Sequence, residues 1–281
     1  MIGYEVLLAS SIEQLNDERL ADWLVEKHKL TDSSRSFFIN FGLIGRKIPR
    51  IPIDPDPKVL QYLREINPGF EKGHWTLDDF CRLSLLLSLD PALNKKQIET
   101  LLSAADMREQ VIIYRSMPYL PNASEFVWLA IDGIRTNMVH VFDAIALDNI
   151  YPYQYFPDDA WNQMVLKAIF MERPMFRIFG LDKRRSEKLA EILHDFVHER
   201  WSAGRMVTPE LWRLISGHLS QPILEDLKKV VLDDTLLAKE AAAKALEDSN
   251  DPLVLEWLAT KGIPRSKHSW DEIGKLIADR K

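Results

Sequence analysis

The stretch "KEAAAKALEDSNDPLVLEWLA", Lys239 to Ala259, decides the fold. Its alanine run would let one helix approach its neighbours closely. Asn250-Asp251-Pro252 reads as a turn, and a second segment with helical apolar spacing follows at once. Moving outward, the same helix–turn–helix rhythm recurs. It is legible in "LNDERLADWLVEKHKL", "DSSRSFFINFGLIGRKI", "DPKVLQYLREI", "TLDDFCRLSLLLSL", "NKKQIETLLSAA" and "DMREQVIIYRSM". It continues through "NASEFVWLAIDGIRTNMVHVFDAIALDN", "DDAWNQMVLKAIFM", "SEKLAEILHDFVHERWSAG", "TPELWRLISGHL" and "SWDEIGKLIADR". "QPILEDLKKVVLDDTLLAKEAAAKALEDS" reads as two helices broken near Asp233-Asp234. Strand-like alternation is almost absent, and Pro118, Pro121, Pro152, Pro157, Pro174, Pro209 and Pro252 fall mostly in the joints. The expected fold is all-α: a right-handed α-α superhelix of HEAT- or armadillo-like helical repeats, with a compact helical bundle as the alternative.

Local signals sharpen some boundaries. Asp32 or Ser33 is a capping candidate, Pro57 suits a first helical turn, and Thr76 followed by acids suits a helix start. "KIPRIPIDPDPK", Lys47 to Lys58, carries four prolines and reads as extended chain, either a linker or a surface loop. The expected organisation is N-terminal helices over 1–46, a Pro-rich loop over 47–58, a helical core over 59–220 and HEAT-like helices over 221–281. Together these read as one continuous domain.

The bulk properties exclude several classes. Hydrophobic residues make up 46%, enough for a packed core, and a net charge of −6 argues against a general nucleic-acid binder. The single cysteine, Cys81, rules out a disulfide framework and reads as a small buried apolar group. The N-terminal stretch carries Glu5 and no basic region, and no uncharged run reaches membrane-spanning length, so the expectation is a cytoplasmic protein without direct membrane insertion.

Common catalytic motifs are absent: no glycine-rich phosphate loop, no nucleophile elbow and no cysteine metal pattern. His194-Asp195-x-x-His198 has the spacing of two metal ligands on one helix face. No third ligand is evident in the sequence, Asp195 is one methylene shorter than the usual glutamate, and His194 lies near the apolar stripe. The expectation is therefore no metal and no cofactor, with histidines in structural or hydrogen-bonding roles. The stretch 132–162 scatters Asp132, Arg135, Asn137, His140, Asp143, Asp148, Asn149 and Asn162 among apolar residues. It reads either as a buried network that sets helix register or as a polar pocket. Arg173, Arg177, Lys183, Arg184, Arg185 and Lys188 precede a helix that Ser186 could cap, with Gly180 ending the previous one. That makes an anion site or a solvated loop. Tyr151, Tyr153, Tyr155, Phe156 and Trp161 form an aromatic, proline-pinned connection.

"AADMREQVIIYRSMPYLPNASEFV", "IDGIRTNMVHVFDAIALDNIYP", "DDAWNQMVLKAIF", "GLDKRRSEKLA" and "HERWSAGRMVTPELWR" together resemble the EboA family, over roughly Leu101 to Arg213. Ile150 stands where the family pattern has proline. The "HERW" portion, His198 to Trp201, fits that pattern, while His194 does not belong to it. The resemblance implies a component of a bacterial gene cluster that makes or exports a secondary metabolite. Its other members resemble a prenyltransferase, a metal-dependent hydrolase, a dehydroquinate-synthase-like protein and a sugar-isomerase-like protein. It carries no established activity. The expected function is a non-catalytic binding or scaffold protein of such a pathway, with other Ebo-cluster proteins, a membrane prenyltransferase or a small-molecule metabolite as partners and no nucleic acid. Arg135, Asn137, Asp143, Asn162, His198 and Arg200 are the candidate binding residues. The alternative is an enzyme acting on a small polar or prenylated metabolite, with His198 or Asp143 as general acid/base and Arg135 or Arg200 holding an anion.

Overall fold

A computed structural model describes residues 3–29, 34–92 and 94–279. The capping candidates Asp32 and Ser33 lie outside the described residues. The chain is all-α. Among the described residues it forms seventeen α-helices, and the sole β-type feature is an isolated bridge between Pro52 and Thr76. It divides into two compact units, Met1–Pro157 and Asp158–Lys281.

The first unit holds α1 (Tyr4–Glu13), α2 (Glu18–Lys29), α3 (Ser34–Lys47), α4 (Pro57–Ile66) and α5 (Leu77–Leu87). It continues with α6 (Asn94–Ala104), α7 (Met107–Ser116), α8 (Val127–Gly133), α9 (Val139–Ala146) and α10 (Tyr151–Tyr155). α5 is its axis. Leu77, Phe80, Cys81, Leu83, Leu85 and Leu86 bury nearly every side of that helix, as its unbroken apolar run requires. α1, α3 and α7 pack against it. The Asp79 carboxylate accepts a hydrogen bond from the Thr76 N–H (3.3 Å), completing the expected N-terminal cap. Cys81 is buried, and burial pushes its thiol up to about 12, which leaves it inert. The proline-rich segment is extended but not a free linker: Ile48 and Ile53 are buried, and Leu77 N–H donates to the Ile51 carbonyl (2.9 Å).

The helix expected over 122–149 is interrupted. Residues 134–138 form a turn between α8 and α9, because Gly133 packs where a side chain could not. A Cβ there would lie 2.6 Å from the Tyr114 ring and 2.7 Å from Ile145, so α9 folds back onto α8 and α7. Asn149 then locks the connection. Its amide donates to the carbonyls of Ala144 (2.9 Å) and Tyr114 (3.3 Å), and its oxygen accepts from Tyr151 N–H (2.9 Å).

The second unit holds α11 (Asp158–Phe170), α12 (Glu187–Ser202), α13 (Trp212–Ile215) and α14 (Gln221–Asp233). After these come α15 (Leu236–Glu247), α16 (Pro252–Thr260) and α17 (Trp270–Ala278). α15 is the alanine-rich helix. Ala241, Ala242, Ala243 and Ala245 are buried, and their small side chains admit α13, α14, α16 and α17 as neighbours. The expected break separates α14 from α15, with Thr235 capping the latter, and Asp251 caps α16 ahead of Pro252. Ser186 caps α12 by accepting from Leu189 N–H (3.2 Å). Gly180, by contrast, ends no α-helix: with φ 75° it sits between two 3-10 turns, since α11 already stops at Phe170.

Candidate functional site

Two helix ends of the second unit finish alike. After α11, Glu172 takes the left-handed conformation (φ 53°) and Arg173 N–H donates back to Ala168 (2.8 Å). After α12, Gly204 does the same (φ 64°) and Arg205 N–H donates to Arg200 (2.9 Å). Both are Schellman closures, and each delivers an arginine just past a helix C-terminus, where the exposed carbonyls favour a cation. Between these two ends, the 205–210 segment and α17 lies a cavity of about 590 Å³. Its walls are apolar at Ile169, Phe170, Met175, Phe196, Met206, Val207, Pro209 and Ile277. Glu172, Arg173, Arg200, Arg205 and Glu210 supply its charged groups. Phe170 and Met206 are 78% and 81% exposed, an apolar rim that the unit's own core does not cover.

Arg200 shapes one wall. Its guanidinium grips the Met206 carbonyl with two donors (3.1 and 2.8 Å) and lies against the Phe196 ring (6.0 Å). Glu210 shapes the floor and is buried at 3% exposure. Burial pushes its carboxyl up to about 7, against the opposing pull of Arg213 and of the Phe176 and Met175 N–H groups. Its Oε1 meets no hydrogen-bond partner among the described residues. Space for that carboxyl exists because α17 carries Gly274 there: a Cβ would stand 2.6 Å from Oε1 and 2.7 Å from Phe176. Arg213 sets the register of α17. It forks onto Asp182 (2.8 and 2.7 Å) and reaches Asp271 in the helix's first turn (2.7 Å).

The opposite side of α12 carries a second cluster. His194 Nε2 and His198 Nε2 both meet Asp226 Oδ2 of α14, at 2.8 and 2.7 Å, and stand 3.2 Å from each other. Lys229 Nζ holds the other carboxylate oxygen (2.9 Å). Burial pushes the Asp226 carboxyl up, but hydrogen bonds from Lys229, His194 and His198 outweigh it and hold the group below the ordinary range.

The sequence-derived binding residues distribute over both units. Arg135 and Asn137 are exposed in the turn between α8 and α9, and Asp143 is half-buried on α9. Asn162 is buried on α11. His198 and Arg200, two residues apart, leave different sides of α12. His198 turns to Asp226 and Arg200 to the cavity. Of the six, Arg200 lines the cavity. In the basic run, Arg184 pairs with Asp158 (2.6 Å) over the Trp161 ring, Lys188 pairs with Asp159 (2.8 Å), and Arg185 donates to the Asp182, Arg213 and Ser216 carbonyls. Arg173 is the member of that run at the cavity.

Sequence reasoning missed Glu210 and Asp226. Asp226 had a signal: it falls on the α14 stripe of Ile223, Leu227, Val230 and Val231, where a buried acid demands partners. Glu210 had little, since an acid after Thr-Pro looks like any helix-start carboxylate.

Among the described residues no helix is long and apolar enough to cross a membrane. No curated protein and no solved structure matches the chain. The family model described as "Metabolite traffic protein EboA" matches residues 4–216, more than half of the sequence, including the cavity walls as far as Glu210. The chain belongs to the EboA family.

Proposed function

We propose that this chain is a cytoplasmic, non-catalytic binding protein of an Ebo-type metabolite pathway, and that it holds its cargo in the second unit's cavity. The observation that carries this reading is the combination of apolar walls, arginines at the rim and the Oε1 of Glu210, which meets no hydrogen-bond partner among the described residues. A volume of about 590 Å³ falls in the range of drug-sized ligand pockets. The apolar walls suit a hydrophobic body. Arg173 and Arg205, with Arg200 behind them, suit an acidic group on it. Glu210, whose carboxyl keeps a proton until about pH 7, suits a hydroxyl or amide at the far end. Binding without conversion also agrees with the direction of His198, which is engaged with Asp226 instead of the cavity. Arg135 and Asn137, exposed in the turn between α8 and α9, remain a candidate surface for other proteins of the pathway, a membrane prenyltransferase among them.

Native mass spectrometry of the untagged protein from its own host tests the reading, with anilinonaphthalene sulfonate as an apolar, anionic probe of the emptied cavity. The expected result is a stoichiometric organic mass, and probe fluorescence that falls about tenfold in affinity in Arg205→Glu. An apo mass together with probe binding indifferent to Arg205→Glu and Met206→Asp would sink the proposal.

A further inference from the structure

We infer that His194, His198 and Asp226 form a divalent transition-metal site that clips α12 to α14. The three donor atoms already converge, at 2.7, 2.8 and 3.2 Å from one another. Hydrogen bonding alone leaves this arrangement unsatisfied. A neutral imidazole has one N–H and one lone pair. If both Nε2 atoms carry the proton, two donors crowd against each other at 3.2 Å; if one does not, its lone pair faces the carboxylate oxygen. A cation in the triangle converts all three contacts to attraction. At about 2.0–2.1 Å from each ligand in tetrahedral geometry, donors stand about 3.3–3.4 Å apart, so the two histidine–carboxylate contacts open by about half an ångström and the histidine–histidine distance barely changes. His198 can supply that movement, because its side chain is 53% exposed while Asp226 is held at 5%.

The sequence spacing set up two ligands four apart on one helix face. The third comes from 28 residues beyond His198, in a segment that lies past the family match. Two imidazoles and one carboxylate suit zinc or nickel and disfavour calcium or magnesium, which take oxygen ligands. Lys229 on Oδ1 leaves Oδ2 as a single donor. The exposed side at His198 leaves room for water or an external ligand as the remaining donors. The site is independent of the cavity: Phe196 and Arg200 face the cavity, and His194 and His198 face α14.

Titration calorimetry of the chelator-stripped, untagged full chain with zinc chloride, and separately with nickel chloride, tests the inference. One equivalent should bind, and thermal unfolding should shift upward with added metal. His198→Ala leaves a half-exposed helix position and should fold normally. It should weaken binding by more than the 10–100-fold that loss of a mere supporting residue costs. Asp226→Asn, of the same shape, should do likewise, whereas Lys261→Ala, on an exposed position after α16, should leave metal affinity unchanged. Absence of stoichiometric binding tighter than about 10 µM with either metal would overturn the site, as would binding retained in both His198→Ala and Asp226→Asn.

Discussion

Asn149 in the first unit and Glu210 in the second are both buried, at 4% and 3% exposure, yet they are treated oppositely. The Asn149 side chain closes three hydrogen bonds to backbone groups of α7, α9 and α10. Glu210 is left with an oxygen that meets no hydrogen-bond partner among the described residues and a carboxyl pushed up to about 7 by burial. A polar side chain whose bonds are all satisfied sets register and has no capacity left for a ligand. A buried one with an open valence costs stability, and proteins keep such groups where something else is to be bound. Both faces of α12 fall on the unsatisfied side of that contrast, one bordering the cavity and the other ending in a crowded His–His–Asp triangle.

Substitutions can break this comparison. The largest effect is expected from Asn149→Ala. It strands two carbonyls and one N–H in the core and should lower the unfolding free energy by about 4 kcal/mol in urea titration. A loss below about 1 kcal/mol would mean that Asn149 is not the structural pin described. Next is Glu210→Gln, read through pH. The folded carboxyl holds its proton to about pH 7 and the unfolded one to its ordinary value of 4.5. The contribution of this carboxyl to stability should therefore be largest below about pH 4.5 and fall as pH rises to 7. Relative to wild type, the Gln variant should gain up to about 3 kcal/mol between pH 4.5 and 8. Parallel pH profiles would show that the carboxyl titrates normally.

Smaller shifts sharpen the picture. Gly274→Ala drives a methyl into Glu210 and Phe176 and should cost about 2 kcal/mol while narrowing the cavity floor. Calorimetric melting and anilinonaphthalene sulfonate binding should fall together. Arg205→Ala, on an exposed turn, should leave melting within about 0.5 kcal/mol of wild type and still weaken the probe. If it melts early with binding intact, Arg205 belongs to the scaffold and not to the rim.

Much of the helix punctuation was legible because caps are local. Thr76, Ser186, Thr235 and Asp251 begin helices for reasons contained within four residues. The break at 134–138 was not legible, since 3.6-residue spacing continues across it. It arises where Gly133 meets Tyr114, 19 positions earlier in the chain. Arg200 was legible as a polar residue of interest, but its use was not: a guanidinium can hold an anion or a backbone carbonyl, and Met206 claims it here. The pairing of His194 with His198 was visible from their spacing, while Asp226 was hidden in an ordinary amphipathic helix.

The sequence by itself determined the all-α class, the family, the buried cysteine and most helix starts. These depend on composition, period and short-range hydrogen bonding. Tertiary structure alone decided that Glu210, Gly274, Arg200 and Arg205 would share one cavity. It also decided that Asp226 would complete a triangle with two histidines. Gly274 lies 64 positions beyond Glu210 and Asp226 lies 28 beyond His198, so only tertiary packing brings either pair together.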